Sequence, residues 1–160
     1  MPVIAVLKNM KIKQIEVLTD EVNALIQLSH QYQAERYPPE SIHQEDPQLL
    51  LAKNTYFIGA YIQQTLLGIG AVKIFDASPG YGEIKNLFVD PNHRGQGASR
   101  VIMRALEQYL IDTNIRLCCL ETGPSQPESI GLYTSLGYHQ CPPYGNYKPD
   151  PLSVFMQKEL

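Results

Sequence analysis

A short glycine-rich segment at residues 94–100 (RGQGASR) carries the clearest chemistry of the chain. It follows the run 83–89, which predicts a strand, and it opens the segment 101–110, whose apolar residues recur on one helical face. Gly95 and Gly97 have no Cβ, so their amides can approach a ligand closely. The free amides of the first helical turn and the helix dipole act in the same place, which predicts a site for an anion such as a pyrophosphate.

Two other glycine-rich motifs fit this segment less well. A P-loop needs G-x-x-x-x-G-K-[ST], and the sequence contains no such run. A dinucleotide-binding fingerprint needs G-x-G-x-x-G, but Arg100 stands where the third glycine would be. A connection without any ligand would explain one glycine, but not a basic loop with two glycines between a strand and a helix.

The same segment resembles motif A of the GNAT superfamily of N-acetyltransferases, Q/R-x-x-G-x-G/A. Arg94 and Gly97 match, and Ser99 replaces the last Gly or Ala. Residues 129–138 (SIGLYTSLGY) resemble the end of motif B of that family, with Ser129 in place of an Ala. The two motifs come in the family's order, and the predicted order of strands and helices resembles its fold from about residue 11 to residue 160.

The resemblance implies that acetyl-CoA is the co-substrate. The loop amides would hold the CoA pyrophosphate, and free backbone groups of the preceding strand would pair with the pantetheine arm. A backbone N–H of that strand would also polarise the thioester carbonyl. Where the family often has an Asn seven residues before a motif B tyrosine, this chain has a Gln. The implied cofactor-binding residues are Leu87, Phe88, Val89, Arg94, Gly95, Gln96, Gly97, Ala98, Ser99, Arg100 and Gln126.

Three residues are candidates for catalysis. Motif position assigns Tyr133 as the acid that protonates the departing thiolate, although its place on a helix face also fits an ordinary core aromatic. The base is open between Glu83, where some family members carry a strand glutamate, and Glu121, at the end of a predicted strand. Each carboxylate could instead be a solvated strand charge. His43 could line the acceptor pocket or lie at the surface.

The elements that must position these residues follow from the apolar pattern. Strands are predicted at 11–18, 55–62, 66–75, 83–89, 116–120, 138–141 and 153–158, and helices after residue 19, within 40–53, at 101–110 and at 128–136. The fold class is therefore α/β (α+β). The resemblance makes it a GNAT-like mixed, mostly antiparallel central sheet with splayed strands, flanked by about four helices.

Length and charge limit the remaining options. The chain has 160 residues and a net charge of −3, which fits one domain and argues against a broadly basic nucleic-acid binder. Residues 1–10 are expected to be an N-terminal extension or a lead-in to the first strand, starting at Met1 or Met10. Residues 11–160 are expected to form a single N-acetyltransferase domain. No apolar run is long enough for a membrane span and no signal pattern stands at the N-terminus, so we expect a cytoplasmic protein without a membrane partner.

The cysteines and the local charges refine the expected partners. Cys118, Cys119 and Cys141 have neither disulfide nor zinc spacing, and no metal is expected. Residues 85–104 carry four basic side chains against one acidic one, so the remainder is acidic and could favour a cationic amine.

The expected function is acetyl-CoA-dependent N-acetylation by direct transfer to a primary amine of a small molecule or peptide, in a chain that could form a homodimer. The alternative is a catalytically silent acyl-CoA sensor or partner-binding module. A nucleotide-binding half-domain of an oxidoreductase is a third option.

Overall fold

A seven-stranded sheet organises the protein. The computed structural model describes residues 9–160, so the predicted extension at residues 1–10 lies, except for its last two residues, outside the described residues. The strands are β1 (Met10–Gln14), β2 (Thr55–Ile62), β3 (Thr65–Phe75), β4 (Tyr81–Val89), β5 (Leu117–Thr122), β6 (His139–Gln140) and β7 (Val154–Glu159). Their spatial order is β1-β2-β3-β4-β5-β7-β6, and every pair is antiparallel except β4 with β5. The predicted mixed, mostly antiparallel sheet is confirmed.

Three α-helices flank the sheet in the described part of the chain: α1 (Asp20–Ala34), α2 (Ala98–Asp112) and α3 (Pro127–Ser135). The helix predicted after residue 19 is confirmed as α1, and its buried residues are Val22, Leu25, Ile26 and Ser29. Thr19 caps this helix, with its Oγ1 accepting from the amide of Val22 at 3.3 Å.

The helix predicted within residues 40–53 is wrong. This stretch forms two 3₁₀ turns instead, Pro39–Ser41 and Pro47–Leu51. Each turn begins at a proline, and the residue before it, Pro38 or Asp46, has an extended ψ of 154° or 132°. Proline disfavours the helical conformation in the residue before it, so a continuous helix cannot form across this stretch.

The sheet buries both of its faces. On one face α2 contributes Ile102, Met103, Leu106 and Leu110 to the larger apolar cluster. On the other face α1 packs with Phe57, Ile69 and Phe88. The middle of β4 therefore lies between two helix layers, and motif A follows at the end of that strand.

Two irregularities of β4 open the centre of the sheet. Ile69 pairs with Phe88 and Ala71 with Lys85, so Asn86 and Leu87 lie opposite Gly70 alone, in a bulge. Asn86 has a φ of +52° there. On its other side β4 pairs with β5 only at Gly82↔Cys118 and Glu83↔Cys119. Beyond these pairs the two strands separate, as the predicted splay requires.

Gly82 is one of the two residues at which β4 pairs with β5, and the core leaves no room for a side chain there. A Cβ there would lie 2.5 Å from Leu110 Cδ2 and 2.9 Å from Val72 Cγ2, and both neighbours are fully buried. We expect Gly82→Ala to lower the free energy of unfolding by about 1–3 kcal/mol, the usual cost of overpacking a core. Urea denaturation measures this loss of stability.

The control is Gly131→Ala, because a Cβ on this exposed residue of α3 would meet nothing within 4 Å. It should stabilise the protein by up to about 1 kcal/mol, and a Gly82→Ala value matching it would contradict the packing argument.

Candidate functional site

A groove of about 300 Å³ runs along the end of β4 to the start of α2. Of the residues expected to bind the cofactor, all but Gln96 line it: Leu87, Phe88, Val89, Arg94, Gly95, Gly97, Ala98, Ser99, Arg100 and Gln126. Gly95 and Gly97 have φ values of +78° and +85°, which favour glycine. Gly97 is the N-cap of α2 and no side chain caps this helix, so the amides of its first turn are available to an anion.

Aromatic and charged side chains form the mouth of this groove. The Arg94 guanidinium lies 5.5 Å from the ring centre of Phe88 and 5.8 Å from that of Tyr32. The Tyr32 hydroxyl donates to Glu128 Oε1 at 2.7 Å, which ties α1 to α3. This hydrogen bond also lowers the pKa of the Glu128 carboxyl. Neither Tyr32 nor Glu128 is part of a motif, so no sequence pattern pointed to them.

A second cavity, the acceptor-side pocket, occupies the gap between the separated ends of β4 and β5 and has a volume of about 110 Å³. Its walls come from α1 and the segment after it, from β4, β5 and α3, and from the loop between β6 and β7. Most of them are polar. The pocket and the groove share six residues: Ser29, Gln33, Leu87, Gln126, Ser129 and Tyr133. The two cavities therefore meet on common walls.

Tyr133 lies where the two cavities meet. Its side chain packs edge-on against Tyr138, with ring centres 5.9 Å apart, and is 7% exposed. Among the described residues no group forms a hydrogen bond with its hydroxyl. Burial raises its pKa, so the hydroxyl carries its proton at neutral pH. The residue is thus packed like a core aromatic and also reaches both cavities.

Glu83 is buried, at 4% exposure, and does not lie at the surface as a solvated strand charge. Its Oε2 accepts from the hydroxyls of Tyr144 at 2.8 Å and Tyr147 at 2.6 Å. Lys85 Nζ lies 3.8 Å from the other oxygen. Burial, followed by the charge of Glu83, raises the pKa of both tyrosines, so they remain donors. Through these two hydrogen bonds Glu83 holds the loop between β6 and β7 against β4.

Glu121 lies in the same pocket with its own partners. Ser153 Oγ donates to Oε2 at 2.6 Å, and His43 Nδ1 lies 2.7 Å from that oxygen and 3.0 Å from Oε1. Lys85 Nζ donates to the main-chain oxygen of His43 at 2.9 Å and to the Tyr147 hydroxyl at 3.2 Å. Both candidate carboxylates thus belong to one hydrogen-bonded system. His43 lines the pocket, one of the two positions that the sequence left open.

The loop between β6 and β7 supplies pocket residues that no motif indicates. Tyr37 and Tyr147 line the pocket and Tyr144 bonds to Glu83, whereas Tyr61 and Tyr81 lie elsewhere. Asn86 also lines it, and its side-chain N and O atoms are buried with no partner among the described residues. Such an orphaned amide suits a polar ligand or an ordered water.

Two features are absent from residues 9–160. No helix there has the length and apolar character to cross a membrane. No three or more His, Cys, Asp or Glu side chains of that range come together as a group able to hold a metal ion.

Comparison with known proteins points to one family. Residues 20–138 match the family described as "Acetyltransferase (GNAT) family". An "IAA acetyltransferase" of Azospirillum brasilense is 38% identical over 152 residues, which cover 95% of this chain and 99% of the relative. The crystal structure of a putative acyl-CoA N-acyltransferase from Klebsiella pneumoniae superposes with a TM-score of 0.77 at 32% identity, covering 94% of this chain and 97% of the other.

A more distant structure shares the fold alone. The PaiA N-acetyltransferase of Thermoplasma acidophilum, solved in complex with coenzyme A, is 16% identical, with a TM-score of 0.72. The superposition covers 94% of this chain and 99% of that one.

Proposed function

The chain belongs to the GNAT acetyltransferase family and is an N-acetyltransferase, and on that premise we propose that it transfers the acetyl group of acetyl-CoA directly to a primary amine of a small polar molecule or peptide. One observation carries the proposal: the groove lined by motif A opens into a polar pocket, and Tyr133 lies where they meet. A donor in the groove and an amine in the pocket would face each other there.

The groove suits a CoA thioester. The uncapped amides of α2 and the two left-handed glycines fit a pyrophosphate, and Arg94 and Arg100 add positive charge beside it. The main-chain groups of β4 that face away from β3 beyond Glu83 have no strand partner on β5, so they are available to the amides of a pantetheine arm. The coenzyme A held by the Thermoplasma relative supports the same assignment.

In the reaction we propose, the amine nitrogen forms a bond to the acetyl carbon and the carbon–sulfur bond breaks. Tyr133 gives its proton to the departing thiolate. Glu83 and Glu121 supply negative charge that favours a cationic amine in the pocket. The volume of about 110 Å³ favours a small amine, or one amino group of a larger molecule, over a bulky acceptor.

Direct transfer agrees with the state of the cysteines. Cys118 and Cys119 are buried, and burial raises the pKa of each thiol to about 12. A nucleophilic cysteine acts as its thiolate, which is scarce at neutral pH for such a group. Cys141 is half-buried and does not line either cavity. Acetylation of a cysteine is therefore not part of the proposed route.

An assay of thiol release tests this function. Acetyl-CoA is offered with a panel of L-lysine, spermidine, kanamycin and a short peptide, and calorimetry measures acetyl-CoA binding separately. We expect binding, together with amine-dependent release of CoA for at least one acceptor. Binding without release for any amine would favour the silent sensor, and no binding up to millimolar concentration would contradict both. Residues 11–160 as a single domain, a cytoplasmic location and a homodimer stay predictions from the sequence.

A further inference from the structure

His43 belongs to the loop between α1 and the turn Pro47–Leu51, yet contacts hold it from three directions. Lys85 Nζ donates to its main-chain oxygen at 2.9 Å. Its ring meets the Tyr147 ring edge-on, with centres 5.3 Å apart. Its Nδ1 lies 2.7 Å from Glu121 Oε2. These contacts come from β4, β5 and the loop between β6 and β7, so the position of the imidazole is set by the same elements that build the pocket.

The partner on Nδ1 determines which ring nitrogen is free. A carboxylate can only accept, so in the neutral imidazole the proton lies on Nδ1 and the lone pair on Nε2. No described residue forms a hydrogen bond with His43 Nε2, and the ring lines the pocket. The hydroxyl of Ser153 holds Glu121 at 2.6 Å and so fixes the carboxylate that orients the ring.

We propose that His43 is the general base of the transfer reaction and that Glu121 is its positioning residue, an inference that rests on the function proposed above. An alkyl amine has a pKa of about 10.4, so at neutral pH only on the order of one molecule in a few thousand can attack. The imidazole is the side chain best suited to take a proton near neutral pH. Glu121 stabilises the imidazolium that forms, as a carboxylate beside a histidine does in other enzymes.

The protons balance along this route. Of the three protons on the ammonium nitrogen, one remains on the amide product. One passes to His43 Nε2 and from there to solvent. Tyr133 gives its own proton to the thiolate. The third proton is lost from the nitrogen as the amide forms, and through solvent it returns Tyr133 to its protonated form. The products are the acetylated amine, CoA thiol and one released proton.

Glu83 is less open to this role. Two tyrosine hydroxyls occupy its Oε2 and the Lys85 ammonium lies beside its Oε1. These three donors already use much of the acceptor capacity of this carboxylate. Glu121 instead pairs with Nδ1 of His43. The imidazole, and not the Glu121 carboxylate, is therefore the group that takes the proton of the amine.

The test compares the pH dependence of kcat/KM in the wild type, His43→Ala and His43→Gln, using the panel amine that the wild type acetylates fastest. The wild type should lose activity toward acid as His43 becomes protonated. The groups facing the ring are Glu121, Asp150, Lys85 and Tyr147. In both variants kcat/KM should instead follow the fraction of free amine, rising with pH through the whole neutral range, and at neutral pH it should be about 10²–10⁴-fold below the wild type. Added imidazole should restore part of the activity of His43→Ala.

Gln at position 43 can still donate to Glu121 but cannot take a proton, so it separates the base from a structural role. Acetyl-CoA affinity and the thermal midpoint should stay at wild-type values in both variants. His139→Ala, at an exposed residue of β6 outside both cavities, is the matched control and should keep the full profile. The proposal is overturned if both variants at position 43 keep the pH profile of the wild type, whatever their rates. A wild type that acetylates no amine would instead contradict the proposed function itself.

Discussion

Replacing Tyr133 by Phe is expected to lower turnover by about 10²–10⁴-fold while acetyl-CoA affinity stays close to that of the wild type. The substitution removes only the hydroxyl, so the packing of the ring against Tyr138 is kept. Without the proton donor the thiolate must leave as an anion from a buried site, which raises the barrier of the transfer step. Thiol release under saturating acetyl-CoA measures the rate, and calorimetry measures the affinity.

Tyr109→Phe is the control for this experiment. Tyr109 stacks on Tyr56, with ring centres 4.0 Å apart, and lines neither cavity. Turnover of this variant should equal that of the wild type within a factor of two or so. If Tyr133→Phe also kept wild-type turnover, Tyr133 would only line the site and would not act as the proton donor.

Replacing Gly97 by Val should raise the dissociation constant of acetyl-CoA by roughly 100-fold, about 2.7 kcal/mol. Gly97 has a φ of +85° and begins α2. A β-branched residue is strained by about 1–3 kcal/mol in this conformation, so the loop shifts and its amides no longer converge on an anion. Calorimetric titration with acetyl-CoA checks the result.

Gly137→Val separates strain from binding. Gly137 follows α3 with a φ of +97°, and it lines neither cavity. Both valine variants should lose stability in urea, but only the one at position 97 should lose affinity. Equal losses of affinity in both would show that general destabilisation, and not the anion site, explains the effect.

The groove lined by motif A could be predicted because its determinants are local. A strand, a turn and a helix start follow one another within residues 83–100, and each glycine acts through its own backbone conformation. The sequence therefore located the groove residues, with Gln96 as the exception. The failed helix within 40–53 was also a local matter, since the prolines that prevent it were visible in the sequence.

The acceptor-side pocket could not be predicted in this way because distant segments build it. His43 and Glu121 meet although 78 residues separate them in the chain. Tyr144, Tyr147 and Ser153 come from a loop whose course depends on where β7 enters the sheet. The family match ends at residue 138, before that loop begins. The family match therefore leaves out the part of the pocket that this loop supplies.

The parting of β4 from β5 also has a consequence for amide hydrogen exchange. A strand in the middle of a sheet ordinarily has both edges protected, yet here the ladder to β5 ends at Glu83. Amides of β4 on that edge should therefore exchange with deuterium sooner than their central position suggests. If the exchange of these β4 amides slows when acetyl-CoA is added, the groove is occupied. This readout does not require the acceptor to be known.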